Sequence, residues 1–318
     1  MAHKEKKTAP PSLSAVVVIP DIYKTIKKTM DYLKAQTAAE KVELVFVGPS
    51  SLKLELDESE FTNFHSWQFV GIPSVISISH SYCMGIRKAH SPIVILVEDH
   101  AFPEAHWAEL LIKDHREPYA VVGPSMRNAN PESLVSRADF YQAYAAWVYP
   151  AESKSMESLP AHNSSYKRDI LLQFDSQLED FMESEHLLHR KLRSMGYKLF
   201  LEGRTYTSHV NFVSTVSSWS YWFRKRFYAG RQYASTWSRS WSLAHRLLFV
   251  MATPLIPFIR LWRIFGYVKH LERPSSYPSL LTIMLSGLLA ESYGHVFGYI
   301  GGFGQWLENL PKYEFHRE

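Results

Sequence analysis

The sequence predicts an α/β fold, a mixed sheet flanked by helices, followed by a C-terminal helical segment of different character. Three observations lead there. Short β-branched runs at residues 15–19, 42–47 and 93–97 are each bounded by Pro, Gly or a polar cluster, as buried strands are. The first two enclose residues 22–33, whose apolar positions recur near helical spacing, and such a β-α-β start implies parallel strands joined by a right-handed crossover. Beyond His209 the chain turns aromatic and basic, then apolar.

In chain order, residues 1–12 read as a disordered basic tail, with Lys4, Lys6 and Lys7 ahead of Pro10 and Pro11. No leader-like run is apparent, so residues 15–19 are expected as a strand ended by Pro20. A helix over 22–33 and a strand over 42–47 follow, then a weaker strand over 67–70 and a helix over 79–89. Ile93–Val97 is the most strand-like run and ends in Glu98, Asp99 and His100. In an open α/β sheet ligands sit beyond the carboxyl ends of strands, so this cluster is well placed. A helix over 107–116 and a strand over 119–122 come next; residues 128–158 are ambiguous. Helices are expected over 167–172 and 183–195, the second with Gly196 as C-cap.

With 318 residues, 46% hydrophobic and 21% charged, the chain suits one large domain with an appendage rather than a disordered polymer. Its single cysteine, Cys83, excludes an internal disulfide and suits a reducing compartment. The net charge of +4 hides an asymmetry: from Arg204 to Arg273, 11 Lys or Arg face one acid, Glu272, a balance of +10. Basic residues interleaved with aromatics suit nucleic acid or anionic lipid, and the apolar surroundings favour lipid. Residues 220–231 mix Arg and Lys with Trp, Phe and Tyr as interfacial helices do. Residues 247–259 are too few to span and hold Pro254 and Pro257; residues 280–303 are long enough, but Glu291 and His295 interrupt them. Membrane lipids are thus expected partners, with the chain peripheral or inserted by a short hairpin or single span, and with no nucleic-acid role. A chain cut near Ser218 is expected to be soluble.

Four segments carry chemistry. Val16, Val17, Val18, Ile19 and Pro20 make an opening strand. Gly85 to Ala89 precede Ile93–Val97 with Glu98, Asp99 and His100, then Pro103, Glu104 and Trp107. Leu159, Pro160, Ala161, His162 and Asn163 lead to Ser164, Ser165 and Tyr166. Glu183, Ser184, Glu185 and His186 open a helix closing on Gly196, with Ser208 and His209 after it. In this order the segments resemble the family 2 glycosyltransferases, inverting enzymes of the A-type nucleotide-diphospho-sugar transferase fold, in their membrane-associated bacterial-type branch. The match spans roughly residues 14–232.

The resemblance implies a domain plan of catalytic domain at 13–218 and membrane-associated helices at 219–318. It also implies roles. Pro20, Asp21 and Tyr23 fall where the opening strand's end helps hold the donor nucleotide, with Asp99 nearby. Glu98 and His100 fall on the two acids of the family's DxD motif, which hold a divalent metal, Mn2+ or Mg2+, against the donor's phosphates, and His209 on the histidine that completes the site. Residues two apart on an extended strand end share a side, so Glu98 and His100 are expected to share one ion, with Asp99 pointing away and mattering less unless the chain turns there. A His ligand favours metals that accept nitrogen, so Mn2+ is expected to serve better than Ca2+. His162 and Asn163 are expected to meet sugar hydroxyls. Glu183 or Glu185 is the candidate base, since inverting transfer needs a carboxylate to take the acceptor's proton. Arg224, Arg226 and Arg231 are candidates for gripping phosphate, although a lipid-facing use competes.

Three departures stand out. Gly48, Pro49, Ser50 and Ser51 replace the acids that usually follow the second strand, Ser184 stands where the family's catalytic aspartate falls, and the DxD acids have become Glu and His. The expected function is transfer of a sugar from a nucleotide-diphosphate donor, UDP-sugar being the donor class the resemblance favours, to a lipid-linked or polysaccharide acceptor at the cytoplasmic membrane face. The rival is a non-catalytic nucleotide-sugar-binding or scaffold subunit of a glycan assembly. A metallohydrolase using some of the 15 His finds no HExxH spacing to support it.

Overall fold

The computed structural model describes residues 9–75, 77–160, 163–211 and 219–304. The elements run β1 (Leu13–Val18), α1 (Lys27–Lys34), β2 (Val42–Pro49), β3 (Ser66–Ile72), α2 (Ile78–Lys88), β4 (Ile93–Val97), β5 (Ala101–Pro103), α3 (Trp107–Asp114), β6 (Tyr119–Asn128), α4 (Leu134–Tyr144), β7 (Lys154–Met156), β8 (Ser165–Lys167), α5 (Arg168–Leu172), α6 (Leu178–Met182), α7 (Glu185–Ser194), β9 (Lys198–His209), α8 (Trp219–Trp237), α9 (Leu243–Ala252), α10 (Ile256–Val268) and α11 (Tyr277–Gly301). They form two compact units, one of Met1–Arg127 with Tyr149–His209, the other of Asn128–Val148 with Val210–Glu318. The first unit ends at His209, and residues 128–148 group with the C-terminal helices.

The first unit is built on one mixed sheet of order β3-β2-β1-β4-β8-β6-β9-β5, with β7 on β9. β1 lies between β2 and β4, parallel to both, with Val16 opposite Val45 and Leu96. Every residue of β1 is buried, Ser14 included, which is why residues 15–18 read as a continuous apolar run rather than an alternating one. Helix α2 covers this strand closely: a Cβ on Gly85 would sit 2.3 Å from Val16 Cγ1, so only glycine fits. β8 then pairs antiparallel with β4, and β5 antiparallel with β9, Ala101 facing His209. Residues 1–8 of the expected tail lie outside the described residues. The rest of it is anchored, with Ser12 N donating to Lys41 O at 2.9 Å and His65 Nε2 lying 2.8 Å from Ala9 O.

Two histidines, His115 and His189, are buried in this unit. Burial, then Lys167, pushes His115 down to about 4; burial, then His186, pushes His189 down to about 3. Both stay neutral in the folded state while the unfolded chain protonates near pH 6.5, so their contribution is complete above that pH and is lost as pH falls from 6.5 toward 4. The urea midpoint is expected to drop between pH 7.5 and 5.0. A His115→Gln variant should lose less over that interval; an identical loss would remove His115 from the account.

In the second unit α8, α10 and α4 pack on α11. The α8–α11 contact is close: a Cβ on Gly294 would lie 1.9 Å from Phe227 O, and one on Gly298 would lie 2.5 Å from Arg231 O. Glu291, one turn before, is buried and ion-paired with Arg226 at 2.6 Å and with Arg260. The residues that interrupt the apolar run 280–303 are thus the face α11 turns inward, while Leu289, Tyr293, Phe297 and Ile300 are exposed. Leu243–Val268 and Pro274–Gly301 are each long and apolar enough to cross a membrane. Solubility on cutting near Ser218 no longer follows, because the cut would strip Asp139, Tyr141 and Gln142 of α4 of their partners Lys225, Glu272 and Met284 O.

Candidate active site

β4 ends at Val97, and the chain does not continue extended: it turns at Asp99–His100 before entering β5. Buried side chains hold this turn from two sides. Thr29, fully buried on α1, donates its hydroxyl to Asp99 O at 2.6 Å. Asn163, in the left-handed region at φ 58°, donates its backbone N to Leu96 O at 2.8 Å and its side-chain amide to Ala101 O at 3.2 Å. Trp107 Nε1 in turn donates to Asn163 O at 3.2 Å. The left-handed conformation is one that Asn tolerates better than most residues.

The turn brings three side chains together. Glu98 Oε2 lies 3.3 Å from His100 Nε2 and 3.3 Å from His209 Nε2. The two imidazoles meet edge-on with centroids 4.5 Å apart. His209 arrives because β9 ends opposite β5, where pairing with Ala101 sets it beside His100 despite 109 residues of separation. One ligand atom from each of the three falls within 4.8 Å of the others, a spacing that can hold a metal ion. The side chains are 8–12% exposed, so the cluster is reachable yet shielded enough for charges to interact strongly.

Asp99 lies where a turn, and not an extended strand end, puts it. Its carboxylate does not point away but lies 2.5 Å from His100 Nδ1, because the backbone turns there. Asn163 is fully buried and braces the turn. His162 lies outside the described residues.

The end of β1 meets the same sheet edge, Val17 pairing with Val97. Pro20 is half-buried there, and exposed Asp21 accepts from Ile22 N at 2.7 Å and Thr25 Oγ1 at 3.1 Å. Tyr23 donates its hydroxyl to Glu60 at 3.2 Å, and burial followed by Glu60 pushes its pKa upward.

Glu183 and Glu185 are half-buried where α6 gives way to α7, with Ser184 buried between them. The helix is fixed through His189. Its Nδ1 accepts from Leu159 N at 3.4 Å, which leaves Nε2 as the donor to Tyr166 Oη at 3.1 Å. His186 Nδ1 also lies 2.8 Å from Ser158 Oγ, so Ser158, Leu159 and Tyr166 are tied to the carboxylate-bearing helix. The three arginines lie on α8 in the second unit. Arg224 is exposed, and Arg231 donates to Gly302 O at 2.8 Å. Arg226 is buried, with its guanidinium in internal ion pairs to Glu291 at 2.6 Å and Asp139 at 3.5 Å.

Thr29 and the bracing role of Asn163 escaped the sequence reading. A lone Thr inside an amphipathic helix carries no signal of what its hydroxyl meets.

At the level of sequence, no protein family and no curated protein matches the chain. Solved structures do. A mannosyltransferase from Pyrobaculum calidifontis, PcManGT, in complex with GDP-Man and Mn2+, is similar at TM-score 0.52 and 14% identity, over 93% of this chain and 91% of that one. GalNAc-T7 with UDP, GalNAc and Mn2+ gives 0.48 and 14% over 64% of this chain, which spans 44% of that chain's length. S. aureus TarS 1-349 with UDP gives 0.46 and 13%, over 94% of this chain and 92% of that one. The likeness to PcManGT, with the sheet described above, establishes the A-type nucleotide-diphospho-sugar transferase fold.

Proposed function

We propose that the chain is an inverting, metal-dependent glycosyltransferase that moves a sugar from a nucleotide-diphosphate donor to a lipid-linked or polysaccharide acceptor at the cytoplasmic face of a membrane. The observation that carries this reading is the convergence of Glu98, His100 and His209 at the carboxyl edge of an A-type sheet. PcManGT, which shares the fold, was solved with GDP-Man and Mn2+. The three side chains fit a divalent ion: two imidazole nitrogens and a carboxylate oxygen are ordinary donors for Mn2+ and less suited to Mg2+ or Ca2+. Such an ion supplies charge neutralisation for a leaving nucleoside diphosphate. Glu98, His100 and His209 would hold it.

The remaining chemistry belongs to carboxylates. Glu183 or Glu185 takes the proton of an acceptor hydroxyl as its oxygen bonds to the anomeric carbon, and the bond from that carbon to the diphosphate oxygen breaks on the opposite face. Configuration inverts because attack and departure are in line. Residues at the β1 end, Pro20 and Asp21, border the donor's nucleotide in this reading.

A thermal-shift screen of UDP- and GDP-sugars with and without Mn2+ tests the proposal, since a ligand of the folded state raises its apparent stability. A donor should raise Tm only with the ion and be consumed when acceptor is present. Binding without any transfer or donor hydrolysis would favour the scaffold reading, for which Ser184 in the aspartate's place is the specific argument. No shift with any donor would sink both.

Membrane association rests on exposed apolar residues of α9 and α10, namely Leu248, Met251, Phe258 and Trp262, between Arg246 and Arg263. A half-leaflet insertion suits this pattern better than a span. Vesicles containing anionic lipid should float the full chain. A Leu248→Asp, Met251→Asp, Trp262→Asp variant should remain at the bottom of the gradient, and its flotation unchanged would count against the lipid-facing assignment.

A further inference from the structure

We infer that Asp99 is a positioning residue, which sets His100 to present Nε2 to a divalent ion shared with Glu98 and His209. The inference deepens the proposed metal site and rests on it. A carboxylate accepts hydrogen bonds and has none to give, so its 2.5 Å approach to His100 Nδ1 places a proton on that nitrogen. In the neutral ring the other nitrogen, Nε2, then carries a lone pair. That lone pair lies 3.3 Å from Glu98 Oε2, which His209 Nε2 meets at the same distance. His100 Nε2 and Glu98 Oε2, which both offer electron pairs, converge favourably around a cation. A carboxylate behind a ligating imidazole fixes its tautomer and ring orientation and raises its basicity.

The backbone argues that Asp99 does this with its side chain alone. Thr29 Oγ1 holds Asp99 O at 2.6 Å, and Asn163 holds Leu96 O at 2.8 Å and Ala101 O at 3.2 Å. The turn is therefore fixed through main-chain atoms on both sides, and removing the Asp99 carboxylate leaves those bonds in place. At 19% side-chain exposure Asp99 also lies beside the cluster rather than out in solvent.

The test is a Co2+ titration of the full chain, followed by calorimetry and by the visible d–d absorption, on wild type, Asp99→Asn, Asp99→Ala and His100→Ala. Loss of a partner behind a metal-bound histidine weakens the ion by about 10- to 100-fold. Both Asp99 variants should show a loss in that range with the band positions of wild type, because the ligands are the same, while His100→Ala should shift the bands. The near-isosteric Asp99→Asn guards against a folding defect in Asp99→Ala. Wild-type affinity in Asp99→Asn and Asp99→Ala would overturn the inference with the metal site intact. Bands in the Asp99 variants that match a lost ligand would overturn it too, by making Asp99 a ligand. No Co2+ bound by wild type would instead remove the metal site itself.

Discussion

One of the two variants Glu183→Gln and Glu185→Gln is expected to transfer sugar about 10² to 10⁴ times more slowly than wild type, with donor affinity retained. The amide keeps the shape of the carboxylate but cannot take a proton, so the loss should appear in kcat and spare KM for the donor. Both residues flank buried Ser184, and both sit on a segment tied to Ser158, Leu159 and Tyr166 through His186 and His189. The substitution should therefore leave the local fold alone. Normal turnover in both variants would place the base elsewhere, and weakened donor binding in place of slowed turnover would make the residue a contact and not a base.

The second large effect concerns the ion. Glu98→Ala, His100→Ala and His209→Ala are each expected to lower the Mn2+-dependent affinity for UDP or GDP by more than about 100-fold, beyond what loss of a supporting carboxylate costs. Each removes a direct donor from a set of three whose atoms lie within 4.8 Å. Calorimetry of nucleoside diphosphate with and without Mn2+ reads this directly. Unchanged metal dependence in all three variants would exclude the site. With two imidazoles in the set, Mn2+ should outperform Mg2+, and Ca2+ should support little binding.

The sheet's parallel half was legible because burial on both faces leaves an apolar run that nothing else in a strand mimics: residues 15–19, 42–47 and 93–97 became β1, β2 and β4. That Glu98, His100 and His209 would meet was legible too, through the strand end and the resemblance that marked the later histidine. Its geometry was not. Extended alternation would send Asp99 away from His100, whereas the turn held by Thr29 brings them together, and that contact depends on a helix 70 residues earlier in the chain.

Elsewhere polar burial hid the elements. α4 was unreadable because Ser136, Asp139 and Gln142 lie on its buried surface, where periodicity calls for apolar residues. Asp139 is buried against Lys225 and Arg226, and Gln142 donates to Met284 O at 2.6 Å. β9 escaped for the same reason, since Glu202, Thr205 and Thr207 fill its inward positions. Arg226 looked like a surface cation because its acid, Glu291, lies 65 residues away. Pairing at that range leaves no local trace in a sequence.

The most direct measurement is a crystal structure of the full chain with Mn2+ and a nucleoside diphosphate, with the ion located by anomalous scattering. The account predicts one Mn2+ coordinated by Glu98, His100 Nε2 and His209 Nε2, with the diphosphate oxygens completing its shell. A nucleotide bound at the sheet's carboxyl edge with no ion on these three side chains, or Mn2+ held by other residues, would contradict it.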